Sequence, residues 1–364
     1  MSKELYRELQ IHLDEQPIDF PATDSGSDIR LLKYLFKPKE AEIALKLDYN
    51  YQSIDEIYEH FEKEEGGKAE LEEILENMVK NGNIHGTKKD GKKLYRIVPL
   101  VVGLDELQVY NLTPEYFNLL IKYMTESKFP LKLINIQNPQ FRTIPIEKSL
   151  TPEHFVANYD DVMAIIEKVK GPIVIIDCIC KKGSAMAGKK CQMTSRLETC
   201  MVFNDIAQTW LKRGLGRQIN KQEAIEIIHK NEEEGLVHQP SNAQEPEFLC
   251  ACCGCCCGIF SMQKAIPNPT NFWTSSYQAE VNSELCEGCK TCIDRCQVDA
   301  IKFKKSKGVV SINLKRCIGC GNCVPTCPAQ AIRLIKKNKD LVIPQNNEEL
   351  YNIIMKNKKN IKFT

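Results

Sequence analysis

Apolar residues return at helical spacing from the start of the chain. Leu5, Leu9 and Leu13 fall at i, i+4 and i+8, and the pattern continues through Leu31-Leu32-Lys33-Tyr34-Leu35-Phe36 and from Ala41 to Leu47. Ser53-Ile54-Asp55-Glu56 has the form of a capping box, in which a hydroxyl and a carboxylate satisfy the first free amides of a helix. That helix carries Ile57 and Phe61 on one face and is expected to end at Gly66-Gly67. Leu71, Ile74, Leu75, Met78 and Val79 form the apolar face of a second helix. His85 to Ile97 then reads as a polar strand, a Lys89-Asp90-Gly91-Lys92 turn and the strand Leu94-Tyr95-Arg96-Ile97. Thr113-Pro114-Glu115 and Thr151-Pro152-Glu153 are helix starts with proline in the first turn. A helix is expected from Asp160 to Lys170, and Gly171-Pro172 breaks the chain. Ile173-Val174-Ile175-Ile176 is a short, β-branched, buried strand that ends at Cys178.

Helix, turn, helix and hairpin in that order resemble a winged helix. Charge bears on how such a domain would be used. Between Ser53 and Gly82 there are ten acidic residues against Lys63, Lys68 and Lys80, a net of −7, and the second helix carries Glu70, Glu72, Glu73 and Glu76. Neutralising phosphates supplies most non-specific affinity for nucleic acid, so this helix would be repelled from a groove. Lys88, Lys89, Lys92 and Lys93 of the hairpin could still touch a phosphate backbone. Protein contact is the expected use.

The 364 residues carry a formal net charge of +1 and are 43% hydrophobic and 27% charged, which excludes disorder and collagen-like structure. Met1-Ser2-Lys3-Glu4 opens a charged amphipathic stretch and not a signal peptide, and no run approaches the ~20 apolar residues of a membrane span. Composition changes this picture at one residue type. All 18 cysteines lie between Cys178 and Cys327. In a cytoplasmic chain, thiols stay reduced, so dense cysteine points to metal or redox chemistry and not to a disulfide scaffold.

Cys286 to Cys296 reads C-E-G-C-K-T-C-I-D-R-C, and Cys317 to Cys327 reads C-I-G-C-G-N-C-V-P-T-C, followed by Pro328. Both are C-x2-C-x2-C-x3-C, displaced by 31 residues, and the same shift carries Ala300-Ile301 onto Ala331-Ile332. Residues 280–340 are therefore similar to the bacterial-type ferredoxins that hold two [4Fe-4S] clusters. That resemblance implies crossed ligation: Cys286, Cys289, Cys292 and Cys327 for one cluster, and Cys317, Cys320, Cys323 and Cys296 for the other. Gln297 stands where the family usually has proline. Zinc ribbons also use C-x2-C knuckles, but they rarely string three cysteines and then repeat the unit. Residues 282–340 carry twelve Lys and Arg against five Asp and Glu, a net of +7. Basic surroundings favour the reduced, more negative form of a cluster, unless these lysines are simply a solvated face.

Ten cysteines lie outside the repeat. Cys178, Cys180, Cys191 and Cys200 form C-x-C-x10-C-x8-C, the right number of thiols for one tetrahedral zinc or one cubane. Cys250, Cys252, Cys253, Cys255, Cys256 and Cys257 occupy six of eight positions, more than one site needs, and free thiols in that number would be an oxidation liability. One or more further clusters are expected here, with zinc as the alternative. Gly183 to Lys190 matches G-x4-G-K, but Lys190 stands where a phosphate loop needs Ser or Thr. His238 is the one histidine near the cysteine run.

Together these features describe an α+β multidomain chain. A winged-helix-like domain (1–100) is followed by an α/β connecting region (101–170) and a Cys-rich α/β middle domain (171–262). A ferredoxin-like domain with two [4Fe-4S] clusters (280–340) precedes a C-terminal tail (341–364). The expected function is electron transfer in the cytoplasm of an anaerobic or oxygen-poor cell, with a redox protein as partner. No acid, base or nucleophile can be argued into a pocket, so independent catalysis is not supported. The rivals are an electron-delivering subunit or activator of a separate oxidoreductase, and a cluster-dependent DNA-binding regulator.

Overall fold

The computed structural model describes residues 2–61, 67–129, 132, 138–154, 156–337 and 341–361. They fall into two compact units. One comprises Met1–Gln137, Gln208–Leu215 and Tyr351–Thr364, and the other comprises Asn138–Ala207 and Gly216–Leu350.

In the first unit the predicted helices form as α1 (Ser2–Glu15), α2 (Ser27–Leu35), α3 (Pro38–Ala44), α4 (Ile54–Tyr58) and α5 (Lys68–Asn81). Leu9, Leu31, Leu32, Ile43, Leu75 and Met78 are buried between them. Ser53 caps α4 as its sequence indicates, accepting from the Glu56 amide while Glu56 accepts from the Ser53 amide. The helix stops short of the expected Gly66-Gly67. After Tyr58 the amides of His60 and Phe61 bond back only three residues, which tightens the chain out of the helix, and Gly66 lies outside the described residues. Strands β1 (Gln52–Ser53), β2 (His85–Lys89) and β3 (Lys92–Arg96) form an antiparallel sheet in the order β1-β3-β2. The β2–β3 turn has φ of 51° at Asp90 and 80° at Gly91, the left-handed pair that a two-residue hairpin requires. Helix α6 (Pro114–Glu126) starts at Thr113, whose hydroxyl accepts from the Tyr116 amide.

The second unit holds every cysteine. Helix α7 (Val162–Lys168) is shorter than expected because Asp161 caps it, accepting from the amides of Met163 and Ala164. The Thr151-Pro152 helix start gives a single tight turn at Pro152–His154. Strand β4 (Ile173–Asp177) leads directly into α8 (Ile179–Met186), then β5 (Glu198–Phe203), α9 (Asn204–Lys212), β6 (Arg217–Ile219), α10 (Lys221–Glu233), β7 (Val237–Pro240) and β8 (Phe248–Cys252). The α/β region takes the form of one antiparallel sheet in the order β6-β4-β5-β8-β7. Alternate residues Ile173 and Ile175, Met201 and Phe203, and Leu249 face α7 and α10, with Ile165, Ile166 and Ile228 in the same core. Each such buried side chain is worth about 1.5–3 kcal/mol, so the register of this sheet is firmly set. The intervening residues, Cys200 and Cys250 among them, necessarily take the other face.

Helix α11 (Gly258–Ala265) links this sheet to the cysteine repeat, which folds as β9 (Tyr277–Val281), α12 (Thr291–Arg295), β10 (Ile301–Lys304), β11 (Val309–Ile312) and β12 (Ile332–Lys336). The repeat is structural as well as sequential. Ile301 pairs with Ile312 in one ribbon, and the shift of 31 places Ile332 opposite Val281 in the other. Left-handed backbone recurs at the same offset, at Gly288 and Gly319, Lys290 and Gly321, and Asp299 and Gln330. At Gly319 a Cβ would stand 2.1 Å from the Tyr277 carbonyl oxygen, so only glycine fits the loop. Helix α13 (Asn347–Ile361) is the last element among the described residues. Among the described residues no helix is long and apolar enough to cross a membrane.

Candidate metal centres

The repeat gathers its eight thiols in two groups of four. Burial raises Cys292 to about 11, reinforced by the neighbouring thiols of Cys289, Cys327 and Cys286. Burial likewise lifts Cys320 to about 12 and Cys323 well above the ordinary thiol range, with Cys296 and Cys317 acting on both. A small cavity is lined by these same four, Cys296, Cys317, Cys320 and Cys323, with Val298, Ile301 and Ile318 around them. Each group thus draws three thiols from one half of the repeat and one from the other. Cys292 is among the charges that act on Cys323, so the groups adjoin. Amides are aimed at the sulfurs: Ala300 donates to Cys296 Sγ and Ala331 to Cys327 Sγ, both at 3.3 Å, and Ala279 donates to Cys317 Sγ at 3.3 Å. Cys289 is exposed, whereas Cys292, Cys317 and Cys323 are buried.

The ten remaining cysteines do not divide as their order along the chain suggests. Cys191 leaves Cys178, Cys180 and Cys200 and joins Cys253, Cys255 and Cys256, and these four thiols all lie within 4.8 Å of one another. Cys191 Sγ is 3.7 Å from Cys253 and 3.8 Å from Cys255, and Cys255 is 3.5 Å from Cys253 and 3.7 Å from Cys256. The amide of Gln192 donates to Cys255 Sγ at 3.4 Å. Burial works against the Cys191 thiolate, but the amides of Thr194 and Met193 and the thiols of Cys253 and Cys255 together outweigh it and hold Cys191 below the ordinary range.

The other six close a ring. Cys178 hydrogen-bonds Cys180 and Cys200, Cys180 reaches Cys257, Cys257 reaches Cys252, and Cys250 joins Cys252 to Cys200. Cys200 and Cys257 stand opposite each other in this ring. Cys200 accepts from Cys178 and Cys250, and Cys257 from Cys180 and Cys252, which holds both well below the ordinary thiol range. The amides of Ile259 and Phe260 in α11 assist Cys257. Strand alternation sorts the run: Cys250 and Cys252 take one face of β8, while Ala251 and Cys253 pack with Leu236, Cys191 and Cys256.

Between the ring and the tetrad lies a residue the sequence did not single out. Lys181 is 3% exposed, and its ammonium donates to Thr199 Oγ1 at 2.7 Å. Burial pulls its pKa down, but Cys178 and Cys200 of the ring and Cys253 and Cys191 of the tetrad outweigh that and hold it above the ordinary range. Thr199 is available because the β4–β5 register shifts between Ile176 and Asp177, leaving it out of the ladder, and Asn231 takes its carbonyl at 3.2 Å. Nothing in the sequence marks Lys181, because its partners come from other strands.

Two other sequence features resolve differently. Gly183 to Met186 belong to α8, so the G-x4-G-K stretch is not the strand-to-helix loop that cradles phosphate. His238 pairs with Ala251 but belongs to neither thiol group. Its Nδ1 is 3.7 Å from Glu232 Oε1, and burial lowers its pKa to about 4.

Gln297 has a specific place. Its Oε1 accepts from the Gly254 amide at 2.8 Å, and its Nε2 lies 3.5 Å from Met193 Sδ, which ties the repeat to the cysteine run. A Cβ on Gly254 would meet the Gln297 carbonyl oxygen at 2.3 Å. Arg295 donates to the carbonyls of Glu232 and Glu233, and Asn322 to that of Gly235. Cys252 and Cys257 of the ring pack in one apolar core with Cys292, Cys317 and Cys323.

A model of the 4Fe-4S dicluster domain matches residues 285–339. No curated protein and no solved structure matches the chain. The matched segment contains all eight cysteines of the repeat, and together with the cysteine cluster at Cys191 and Cys253 to Cys256 it supports an iron–sulfur protein. The donors fit such a cofactor, since thiols converge in fours beneath amide donors and apolar side chains.

Proposed function

We propose that the chain is an electron-transfer protein carrying two [4Fe-4S] clusters in its repeat, one on Cys286, Cys289, Cys292 and Cys327 and the other on Cys317, Cys320, Cys323 and Cys296. Further centres occupy the ten cysteines before it. The observation that carries this reading is the crossed grouping of thiols, with Cys292 adjoining Cys323. When bound, a [4Fe-4S] cluster supplies a one-electron couple. The chain's own residues prepare the site. Amides of Ala279, Ala300 and Ala331 disperse charge on the sulfurs, and buried Ile301, Ile318 and Ile332 exclude water. Cys289 is exposed and Leu285 nearby is 52% exposed, which offers a redox partner a short approach to the first cluster.

The N-terminal helices and hairpin serve protein contact in this reading. Lys93 of the hairpin is 2.9 Å from Glu72 and 3.1 Å from Glu76, so one of its four lysines already answers the carboxylates of α5. The test is electron return. Oxygen-free protein reduced chemically should pass about one electron per cubane to a one-electron acceptor and recover its visible absorbance. Reduction that is irreversible and strips iron would sink the proposal, and tight, salt-sensitive binding to a promoter fragment would favour a regulator.

A further inference from the structure

The ten cysteines outside the repeat meet in two arrangements that suit different metals. In the tetrad, four neighbouring sulfur pairs lie 3.5 to 3.8 Å apart. A metal–sulfur bond of about 2.3 Å sets the edge of a tetrahedron of sulfurs at about 3.8 Å, so these thiols already stand where a single ion needs them. Among the described residues this is the one group whose donor atoms all lie within 4.8 Å of each other. No three thiols of the ferredoxin repeat come that close together.

The ring has six members. Each of its thiols hydrogen-bonds two neighbours, and no three of them lie within 4.8 Å of one another. A single cubane would use four and leave two thiols idle against it. The residues come from five places: the end of β4 (Cys178), the first turn of α8 (Cys180), β5 (Cys200), β8 (Cys250, Cys252) and the start of α11 (Cys257). Separate elements converging on one ring would bury a set of competing thiols unless something occupied its centre. Lys181 lies beside it as a fixed positive charge.

Resting on the iron–sulfur reading above, we propose that the ten cysteines build two centres of different kinds. The tetrad of Cys191, Cys253, Cys255 and Cys256 holds one tetrahedral metal ion. The ring of Cys178, Cys180, Cys200, Cys250, Cys252 and Cys257 holds an iron–sulfur cluster of more than four irons. The shared apolar core of Cys252 and Cys257 with Cys292, Cys317 and Cys323 makes the ring the inward neighbour of the repeat.

The test is metal counting with Mössbauer and X-ray absorption spectroscopy on the full chain prepared without oxygen. The wild-type protein is compared with Cys253→Ser/Cys256→Ser and Cys180→Ser/Cys252→Ser. The wild-type protein should hold more than about twelve irons, about eight of them in the repeat. The tetrad variant should lose one metal ion, whose absorption spectrum shows a sulfur shell and no metal–metal scattering. The ring variant should lose more than about four irons and keep the signals of the repeat. Loss of about four irons from the tetrad variant, or of four or fewer from the ring variant, overturns the proposal. If the variants misfold, the wild-type count decides: about eight irons and no further cluster signal overturns the proposal while the repeat stands. A count below eight with no dicluster signal would instead defeat the reading on which it rests.

Discussion

Replacing Gly254 by alanine should loosen the repeat from the cysteine run. The added Cβ would stand 2.3 Å from the Gln297 carbonyl oxygen and 3.1 Å from its carbonyl carbon. Unstrained C···O contacts lie at about 3.3–3.6 Å, so one backbone must retreat by about 1 Å. Overpacking of this kind costs about 1–3 kcal/mol. The same retreat breaks the Gly254 amide bond to Gln297 Oε1, worth about 0.5–1.5 kcal/mol. A total of about 2–4 kcal/mol, in a unit of this size, lowers the melting temperature by roughly 5–15 °C. The assay is anaerobic thermal unfolding of the loaded protein at a fixed scan rate, followed by circular dichroism and by cluster absorbance. Gly258→Ala is the control, because nothing lies within 4 Å of a Cβ there. If Gly254→Ala melts with the wild-type protein and the control, the packing argued between Gly254 and Gln297 is wrong.

Lys181→Met removes a buried cation shared by the ring and the tetrad. Unit charges about 6 Å apart at an effective dielectric of about 20 interact by about 3 kcal/mol, so a redox titration should show a neighbouring couple roughly 100 mV more negative. An unchanged set of potentials would contradict this role. Glu232 is pushed up to about 7, chiefly by burial. Between the unfolded value near 4.5 and that point the folded chain retains a proton the unfolded chain has lost. Stability from this group is therefore complete below about 4.5 and is lost as pH rises through 7. His238, lowered to about 4, acts in the opposite sense between about 4 and 6.5, but it is present in both proteins and so drops out when variant and wild type are compared at the same pH. Glu232→Gln should gain up to about 3 kcal/mol at pH 8 relative to pH 4.5 in chemical unfolding, and equal effects at both pH values would refute it. Cys323→Ser should remove one of the two cubane signals of the repeat and leave the other, as counted by electron paramagnetic resonance of the reduced protein; loss of neither would exclude Cys323 as a ligand.

What the sequence made legible was local. The capping box of Ser53 and Glu56 and the Asp90-Gly91 hairpin each depend on residues a few positions apart, and both appear as read. The crossed grouping in the repeat was accessible through family resemblance, since the fourth thiol of each group lies 21 to 41 residues from the others. The partition of the remaining ten cysteines was not accessible. It is decided by the β5–β8 register and by alternation along β8, and the strand Phe248-Leu249-Cys250-Ala251-Cys252 carries too few β-branched residues to announce itself. Cys191, grouped along the chain with Cys200, therefore ends beside Cys253. Gln297 reads in the sequence as a departure of little weight, yet it contacts both Gly254 and Met193.

The central claim is most directly tested by a potentiometric titration of the oxygen-free protein, followed by electron paramagnetic resonance and paired with iron analysis. The account predicts two one-electron [4Fe-4S] signals from the repeat, magnetically interacting as expected for adjoining groups at Cys292 and Cys323, and accounting for about eight irons. A protein that holds zinc on these eight thiols, or shows no reversible one-electron signal, would contradict it.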